Sequence, residues 1–81
     1  MTTLKYLMDR EQNLVTRRED NFNNRVRMLY ELDERTDLSD VERDELKEKV
    51  KTSESYEKAL DTELKQVRTS MKRYILKILE G

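Results

Sequence analysis

Apolar residues recur along the second half of the chain at alternate steps of four and three. Counted from Leu46, the series contains eight apolar residues and two polar ones, Ser53 and Glu57. In order, its members are Leu46, Val50, Ser53, Glu57, Leu60, Leu64, Val67, Met71, Tyr74 and Ile78. A sustained seven-residue repeat is typical of a helix that packs along another helix in a coiled coil. The pattern therefore predicts a long helix whose buried face carries two polar side chains.

The predicted start of this helix is the sequence LSDVE at residues 38–42. The Ser39 hydroxyl can accept from the free amides of the first turn, and the Glu42 carboxylate can reach back to the Ser39 amide. Asp40, Glu42 and Asp44 also place negative charge at the positive end of the helix dipole. We expect this helix to span residues 39 to about 79.

The first part of the chain has its own apolar residues at helical spacing. They are Leu4, Leu7, Met8, Leu14, Val15, Phe22, Val26, Leu29 and Leu32. We expect a helix from about residue 3 to about residue 35, loosened near its middle by the asparagines of NFNN (21–24). Because only residues 36–38 remain for the connection, the two helices should lie antiparallel. The predicted fold class is all-α, a single antiparallel two-helix coiled-coil hairpin over residues 1–81.

Aligning the apolar faces predicts a register in which the numbers of facing residues sum to 75. The facing apolar pairs are Leu4–Met71, Met8–Val67, Val15–Leu60 and Leu29–Leu46. In this register the two polar exceptions also gain partners, because Ser53 faces Phe22 and Glu57 faces Arg18. We expect the serine to make room for the aromatic ring and the carboxylate to pair with the guanidinium. Arg18, Phe22, Ser53 and Glu57 are therefore the predicted register-setting residues.

The composition favours helices over strands and over disorder. Of the 81 residues, 43% are charged and 35% are hydrophobic, a balance that is common in disordered chains. Such chains usually carry a large net charge, whereas here 17 basic and 18 acidic side chains nearly cancel. The sequence has no proline, and its one glycine is Gly81, so nothing breaks it into strands and tight turns.

The chain contains neither histidine nor cysteine. It therefore lacks the usual general base, the thiol nucleophile and the commonest transition-metal ligands. Glu42, Glu45 and Glu48 share one face of the second helix, but a solvated face paired with nearby lysines is favoured over a cation site. We expect no enzymatic activity, no metal and no cofactor.

Charge is distributed unevenly between the two ends of the predicted hairpin. Residues 19–63, around the turn, carry 8 basic and 15 acidic side chains. Residues 1–18 and 64–81, at the open end, together carry 9 basic and 3 acidic side chains. Antiparallel pairing of two hairpins would bring each acidic end beside a basic one. Because Leu7, Leu14 and Met28 also broaden the apolar stripe of the first helix, we expect a homodimer that forms a four-helix bundle.

In the predicted register the second helix extends past the first at the open end. Five of the eight residues in YILKILEG (74–81) are apolar. We expect this end, beside Lys72, Arg73 and Lys77, to bind an amphipathic helix with acidic flanks from another protein. The expected partner-binding residues are Leu4, Leu7, Met8, Met71, Tyr74, Ile75, Ile78 and Leu79. Burial of the same end by a second copy of the chain is the alternative.

Together these features favour a protein-interaction role, that of a self-associating hairpin acting as a chaperone, assembly factor or adaptor. In shape and size only, the predicted hairpin resembles secretion-system co-chaperones, phage assembly proteins and helical adaptors. The alternative is a small nucleic-acid-associated regulator that uses the basic side chains of Lys65, Arg68, Lys72, Arg73 and Lys77. No apolar run reaches the roughly 18 residues of a membrane span, and the N-terminus is too charged for a signal peptide. We therefore expect a cytoplasmic location.

Overall fold

Two long helices account for nearly all of the computed structural model, which describes residues 3–81. Helix α1 spans Leu4–Glu34 and helix α2 spans Asp40–Glu80. They lie antiparallel along most of their length, and the principal-axis extents of the hairpin are 63 × 17 × 14 Å. The all-α helical hairpin expected from the heptad pattern is confirmed. Within residues 3–81, neither helix contains a stretch that is long and apolar enough to cross a membrane.

The predicted capping signal at the start of α2 is confirmed. The backbone amide of Glu42 donates to the Ser39 hydroxyl over 3.1 Å, and the Ser39 amide donates to the Glu42 carboxylate over 3.4 Å. At the start of α1, the Thr3 hydroxyl accepts from the backbone amide of Tyr6 over 3.2 Å. Each helix therefore begins at a hydroxyl side chain that satisfies a backbone donor which the helix itself leaves free.

The connection between the helices is held by two arginines. Arg35 donates to both carboxylate oxygens of Asp37, over 3.1 and 3.0 Å. This hydrogen bonding, with the charge of Arg35, lowers the pKa of the Asp37 carboxyl below its usual value. Arg43 reaches back from the first turn of α2 and donates to the backbone carbonyls of Leu32 and Arg35. It thereby satisfies two acceptors at the C-terminal end of α1 and ties the two helix ends together.

Helix α2 buries the face that its heptad series predicts. Its five buried residues are Val50, Ser53, Leu60, Leu64 and Val67. Leu46, Glu57, Met71 and Tyr74, from the same series, are partly buried. Only Ile78 differs, because it is 56% exposed and lies beyond the start of α1. The seven-residue repeat therefore identified the contact face of this helix up to Tyr74.

Helix α1 presents a different face from the one predicted. Its buried residues are Leu7 and Leu14, whereas Met8, Phe22 and Leu29 are about half exposed. In the sequence each exposed residue directly follows a residue of the observed seam, and one residue corresponds to a rotation of about 100° around a helix. The predicted register, in which facing residue numbers sum to 75, is therefore wrong by one residue: Asn21, and not Phe22, contacts Ser53. Two apolar stripes lie side by side on α1, and a single partner helix covers only one of them.

The middle of the helix–helix seam is polar, and the four register-setting residues have partners other than those predicted. Ser53 contacts Asn21 instead of Phe22: its hydroxyl donates to the Asn21 side-chain oxygen over 2.9 Å. The Asn21 amide nitrogen donates in turn to the Ser53 carbonyl over 2.8 Å. Glu57 accepts from Arg25 over 3.0 Å, so its predicted pairing with Arg18 is wrong. The short amide of Asn21 fits beside the small serine, which leaves no need for an aromatic ring there.

Arg18 pairs instead with Asp61, over 2.6 Å and at the edge of the seam. Both side chains of this pair are about half exposed, whereas the Arg25 side chain is only 11% exposed. The Arg25–Glu57 pair is therefore the most deeply placed ion pair among residues 3–81. Apolar packing lies on both sides of this polar centre, and the main cluster, toward the open end, contains Leu7, Leu14, Leu60, Leu64 and Val67.

Candidate protein-interaction surfaces

Two groups of exposed apolar side chains stand out on the hairpin. The first, here called the end patch, consists of Ile75, Leu76, Ile78 and Leu79 in the last turns of α2. The second, here called the α1 flank, consists of Met8, Val15, Phe22, Val26 and Leu29. Each group lies beside a part of the apolar seam, and all members except Val15, which packs partly against the core, lie outside the contact between the helices. Large exposed apolar patches on a small protein mark candidate interaction sites.

The end patch lies where α2 extends beyond the start of α1. The exposed fractions of its residues are 42% for Ile75, 56% for Leu76, 56% for Ile78 and 78% for Leu79. At about 100° per residue, the four side chains span roughly 160° of the helix circumference. Lys72, one turn before Leu76, lies in line with the arc, and Arg73 lies about 60° beyond the border at Leu76, whereas Lys77 lies on the opposite side of the helix. The patch is therefore an apolar surface with a basic edge.

The residues predicted to bind a partner separate into three environments. Leu7 is 5% exposed in the hairpin core, so it does not contribute to an external surface, and its predicted role is corrected. Leu4, Met71 and Tyr74 are partly buried at the open end of the seam. Met8 is 54% exposed but belongs to the α1 flank, while Ile75, Ile78 and Leu79 belong to the end patch. Leu76 was not among the predicted residues, although it lies within the apolar run from which the end was recognised.

The α1 flank follows the buried face of α1 along the helix. Met8, Val15, Phe22 and Leu29 are spaced by seven residues, and Val26 lies one turn from Phe22. Their exposed fractions are between 46% and 54%, except for Val15, which is partly buried against the core. The sequence-based prediction assigned this stripe to the seam. It is instead an ordered apolar row beside the seam, open to solvent along one broad side of the hairpin.

Two shallow grooves between the helices open on the same side as the α1 flank. One is lined by Val15, Arg18, Glu19, Asp61, Leu64, Lys65, Arg68, Thr69 and Lys72. The other is lined by Arg18, Glu19, Phe22, Asn23 and Glu57. Because Arg18 and Glu19 border both grooves, the two form one continuous depression next to Phe22. A ridge from another molecule would find both a groove and an apolar row on this side.

Phe22 is held in place by the polar centre of the seam. The guanidinium of Arg25 lies 5.5 Å from the centre of the Phe22 ring, within the range of a cation–π contact. The same guanidinium donates to Glu57 on α2, which fixes its position. The half-exposed aromatic ring is therefore ordered by the hairpin itself, as preorganised aromatic anchors of protein interfaces are.

The basic residues of α2 meet acidic groups in the folded hairpin. Arg68 donates to the Glu11 carboxylate over 2.9 Å, and Lys65 and Lys72 line the groove that also contains Glu19 and Asp61. Glu42 belongs to the helix cap and Glu48 pairs with Lys51 over 3.4 Å. Among residues 3–81, no group of three or more acidic side chains is arranged to hold a metal ion.

Comparison of the chain with protein-family models, with curated proteins and with solved structures finds no match. The features of the hairpin that bear on its function are the two apolar surfaces and the charges beside them.

Proposed function

We propose that this chain is a non-catalytic protein-interaction module, a self-associating coiled-coil hairpin that acts as a chaperone, assembly factor or adaptor. In this proposal the end patch binds an amphipathic helix of another protein. The observation that supports it is the group of four large apolar side chains left exposed in the last turns of α2. An amphipathic helix that docks in an apolar groove or on an apolar face is a recurrent mode of peptide recognition.

The exposed area is large enough to support binding. Full burial of one Leu or Ile side chain stabilises by roughly 1.5–3 kcal/mol. Because the four residues of the end patch are already about half buried, covering them would contribute roughly 3–7 kcal/mol before the costs of ordering. Because the costs of association and ordering are subtracted from this range, the end patch supports weak binding, which suits a chaperone or adaptor that must release its partner.

The basic edge of the end patch specifies the charge of the partner. Lys72 lies one turn before Leu76, in line with the apolar arc, and Arg73 lies just outside the arc on the side of Leu76. Acidic side chains that flank the apolar face of a docked helix would meet these cations. Charge complementarity of this kind favours the correct partner and speeds association more than it adds affinity.

The test uses a designed peptide as the probe. A labelled amphipathic peptide of about 18 residues carries leucines at helical spacing and glutamates on both flanks; a matched peptide carries lysines instead. We expect fluorescence anisotropy to show binding of the acidic peptide and at least about tenfold weaker binding of the basic one. The double variant Leu76→Ser with Leu79→Ser should lose the acidic peptide, whereas Val41→Ser, at an exposed valine far from the end patch, should keep it. Equal binding by both variants would contradict the proposal.

Fluorescence anisotropy also distinguishes the proposed protein-binding role from the nucleic-acid alternative. Contacts to phosphates make the logarithm of affinity fall linearly and steeply with the logarithm of salt concentration. A labelled DNA or RNA duplex that binds with such a slope, and loses binding when Lys65 and Lys72 become glutamine, would support the regulator instead. Glu19 and Asp61 line the same groove as these two lysines, and their negative charge opposes that outcome.

A further inference from the structure

We propose that a second copy of this chain docks on the α1 flank, in an antiparallel arrangement that forms a four-helix bundle. The inference rests on the self-association proposed above and identifies the surface and the orientation that produce it. In this arrangement, the side of the hairpin that carries the α1 flank and the two grooves contacts the same side of the second copy. Helix α1 of each copy then packs against α1 of the other.

The α1 flank is self-complementary when it is reversed. An antiparallel pairing that places Val15 against Phe22 of the second copy also places Met8 against Leu29 of that copy. The same pairs then recur on the other side of the two-fold axis, which passes between residues 18 and 19. Every apolar residue of the seven-residue row thus meets another apolar residue, as an isologous dimer interface requires.

Charge along α1 favours the reversed arrangement over the parallel one. Residues 4–18 carry four basic and two acidic side chains, and residues 19–34 carry two basic and five acidic ones. Antiparallel pairing places the basic half of one α1 beside the acidic half of the other. At the two-fold axis, Arg18 of one copy lies next to Glu19 of the second copy. A parallel dimer would bring like halves together, and such an arrangement is disfavoured.

The corresponding edge of α2 does not offer an apolar surface. Its residues at the same heptad position are Lys47, Glu54, Asp61 and Arg68. Two of them, Asp61 and Arg68, are already paired with Arg18 and Glu11 of α1. The apolar contact in the dimer therefore forms between the two α1 helices, while the charged edges of α2 lie at the rim.

The available area meets the requirement for a specific dimer. From residue 8 to residue 29 the α1 flank extends for about 33 Å. Across the broad side of the hairpin, 17 Å wide, this length gives about 560 Å² per copy, or about 1,100 Å² in total. Stable, specific interfaces bury at least roughly 1,000 Å². The half-exposed ring of Phe22, held by Arg25, lies near the middle of this area, where interface residues contribute most.

The first test compares two substitutions that each remove an exposed aromatic ring from α1. Phe22→Ser removes the centre of the α1 flank, and Tyr30→Ser removes a 65% exposed ring on the outer side of the same helix. Light scattering coupled to size exclusion should give a dimer for the unmodified chain and for Tyr30→Ser. Phe22→Ser should raise the dimer dissociation constant at least about tenfold. Circular dichroism should show equal helicity for both variants, because neither residue belongs to the hairpin core.

The second test determines the orientation by disulfide formation, without background from native cysteines. Chains with Met8→Cys and chains with Leu29→Cys, both of which keep Phe22, are mixed and oxidised. We expect the mixed disulfide to dominate, because residues 29 of the two copies are about 30 Å out of register in the antiparallel dimer. Dominant pairing of residue 29 with itself would overturn the antiparallel arrangement. A dimer that survives Phe22→Ser unchanged would overturn the α1 flank but leave self-association standing, whereas a monomeric unmodified chain would overturn both.

Discussion

The most deeply buried side chain of the hairpin is Leu14, which is 1% exposed. Leu14→Ala removes three carbon atoms from the cluster shared with Leu7, Leu60 and Leu64. The transfer contribution is about 0.8 kcal/mol for each buried methylene, or about 2.4 kcal/mol in total. Because a coiled-coil seam cannot collapse fully around the vacated space, the cavity adds to this value, and we expect a loss of about 3–4 kcal/mol.

That loss is large for this chain. Natural domains have about 0.05–0.15 kcal/mol of stability per residue, which for 81 residues gives roughly 4–12 kcal/mol. Phe22→Ala is the informative comparison, because the predicted register placed Phe22 in the seam and the structure places it half exposed. In the single hairpin we expect Phe22→Ala to cost only about 1–2 kcal/mol, from partial burial and the lost contact with Arg25.

Urea denaturation followed by circular dichroism measures both losses. It is carried out at a low protein concentration, about 1 µM, and again at about 100 µM, because the proposed dimer would add a concentration-dependent contribution to stability. The cost of Leu14→Ala should not depend on concentration, while the cost of Phe22→Ala should grow with concentration if the proposed dimer forms. A Phe22→Ala loss that equals or exceeds the Leu14→Ala loss at the low concentration would refute the observed rotation of α1.

Three further outcomes follow from the polar contacts. Replacing Arg25 and Glu57 together by leucine should leave stability unchanged or raise it by about 1–4 kcal/mol in urea denaturation, whereas either single replacement should lower it. Ser39→Ala should cost about 1 kcal/mol in the same assay, because it removes the cap of α2. The bonding of Asp37 to Arg35 lowers the pKa of this carboxyl, so its contribution to stability is present above the unfolded-state pKa and is lost as pH falls through the folded-state pKa. Comparison of the chain with Asp37→Asn across pH 2–7 should therefore show a difference that disappears in acid.

The contact face of α2 was predictable because its sequence offers only one apolar stripe. The residues between the heptad positions are charged over most of the helix, so any other rotation would bury lysines and glutamates. The cap at Ser39 was predictable for a similar reason, since the geometry of a capping box is local and depends on residues three apart.

The contact face of α1 was not predictable from hydrophobicity. Its two stripes, one through Leu7 and Leu14 and the other through Met8 and Phe22, differ little in apolar content. The structure selects the first stripe, which brings Asn21 to Ser53 and Arg25 to Glu57. A count of apolar residues ranks this face too low, because Asn21 and Arg25 in its middle are polar. The count does not show that both side chains have hydrogen-bond partners on α2.

The presence of two similar apolar stripes on α1 also explains why the sequence predicted one exposed apolar surface and not the other. The apolar run at residues 74–79 identified the end patch, because it lies beyond the reach of a helix that begins near residue 3. Of the α1 flank only Met8 was expected to bind a partner, because the sequence pattern placed the row in the core. Whether a stripe faces inward or outward depends on a rotation of about 100°, and neither composition nor spacing determines that rotation.

In the proposed dimer, α1 uses one face for its own hairpin and another for a second copy. Single cysteines at residues 14 and 29 report on these two faces through their rates of thiol alkylation, each measured against the same chain unfolded in urea, and both variants keep the Phe22 ring. We expect residue 14 to be protected at every protein concentration. Residue 29, at the half-exposed end of the α1 flank, should react freely at about 1 µM and become protected near 100 µM, as the proposed dimer forms. A residue 29 that is already protected in the dilute protein, or that stays reactive in the concentrated one, would contradict the assignment of the two faces.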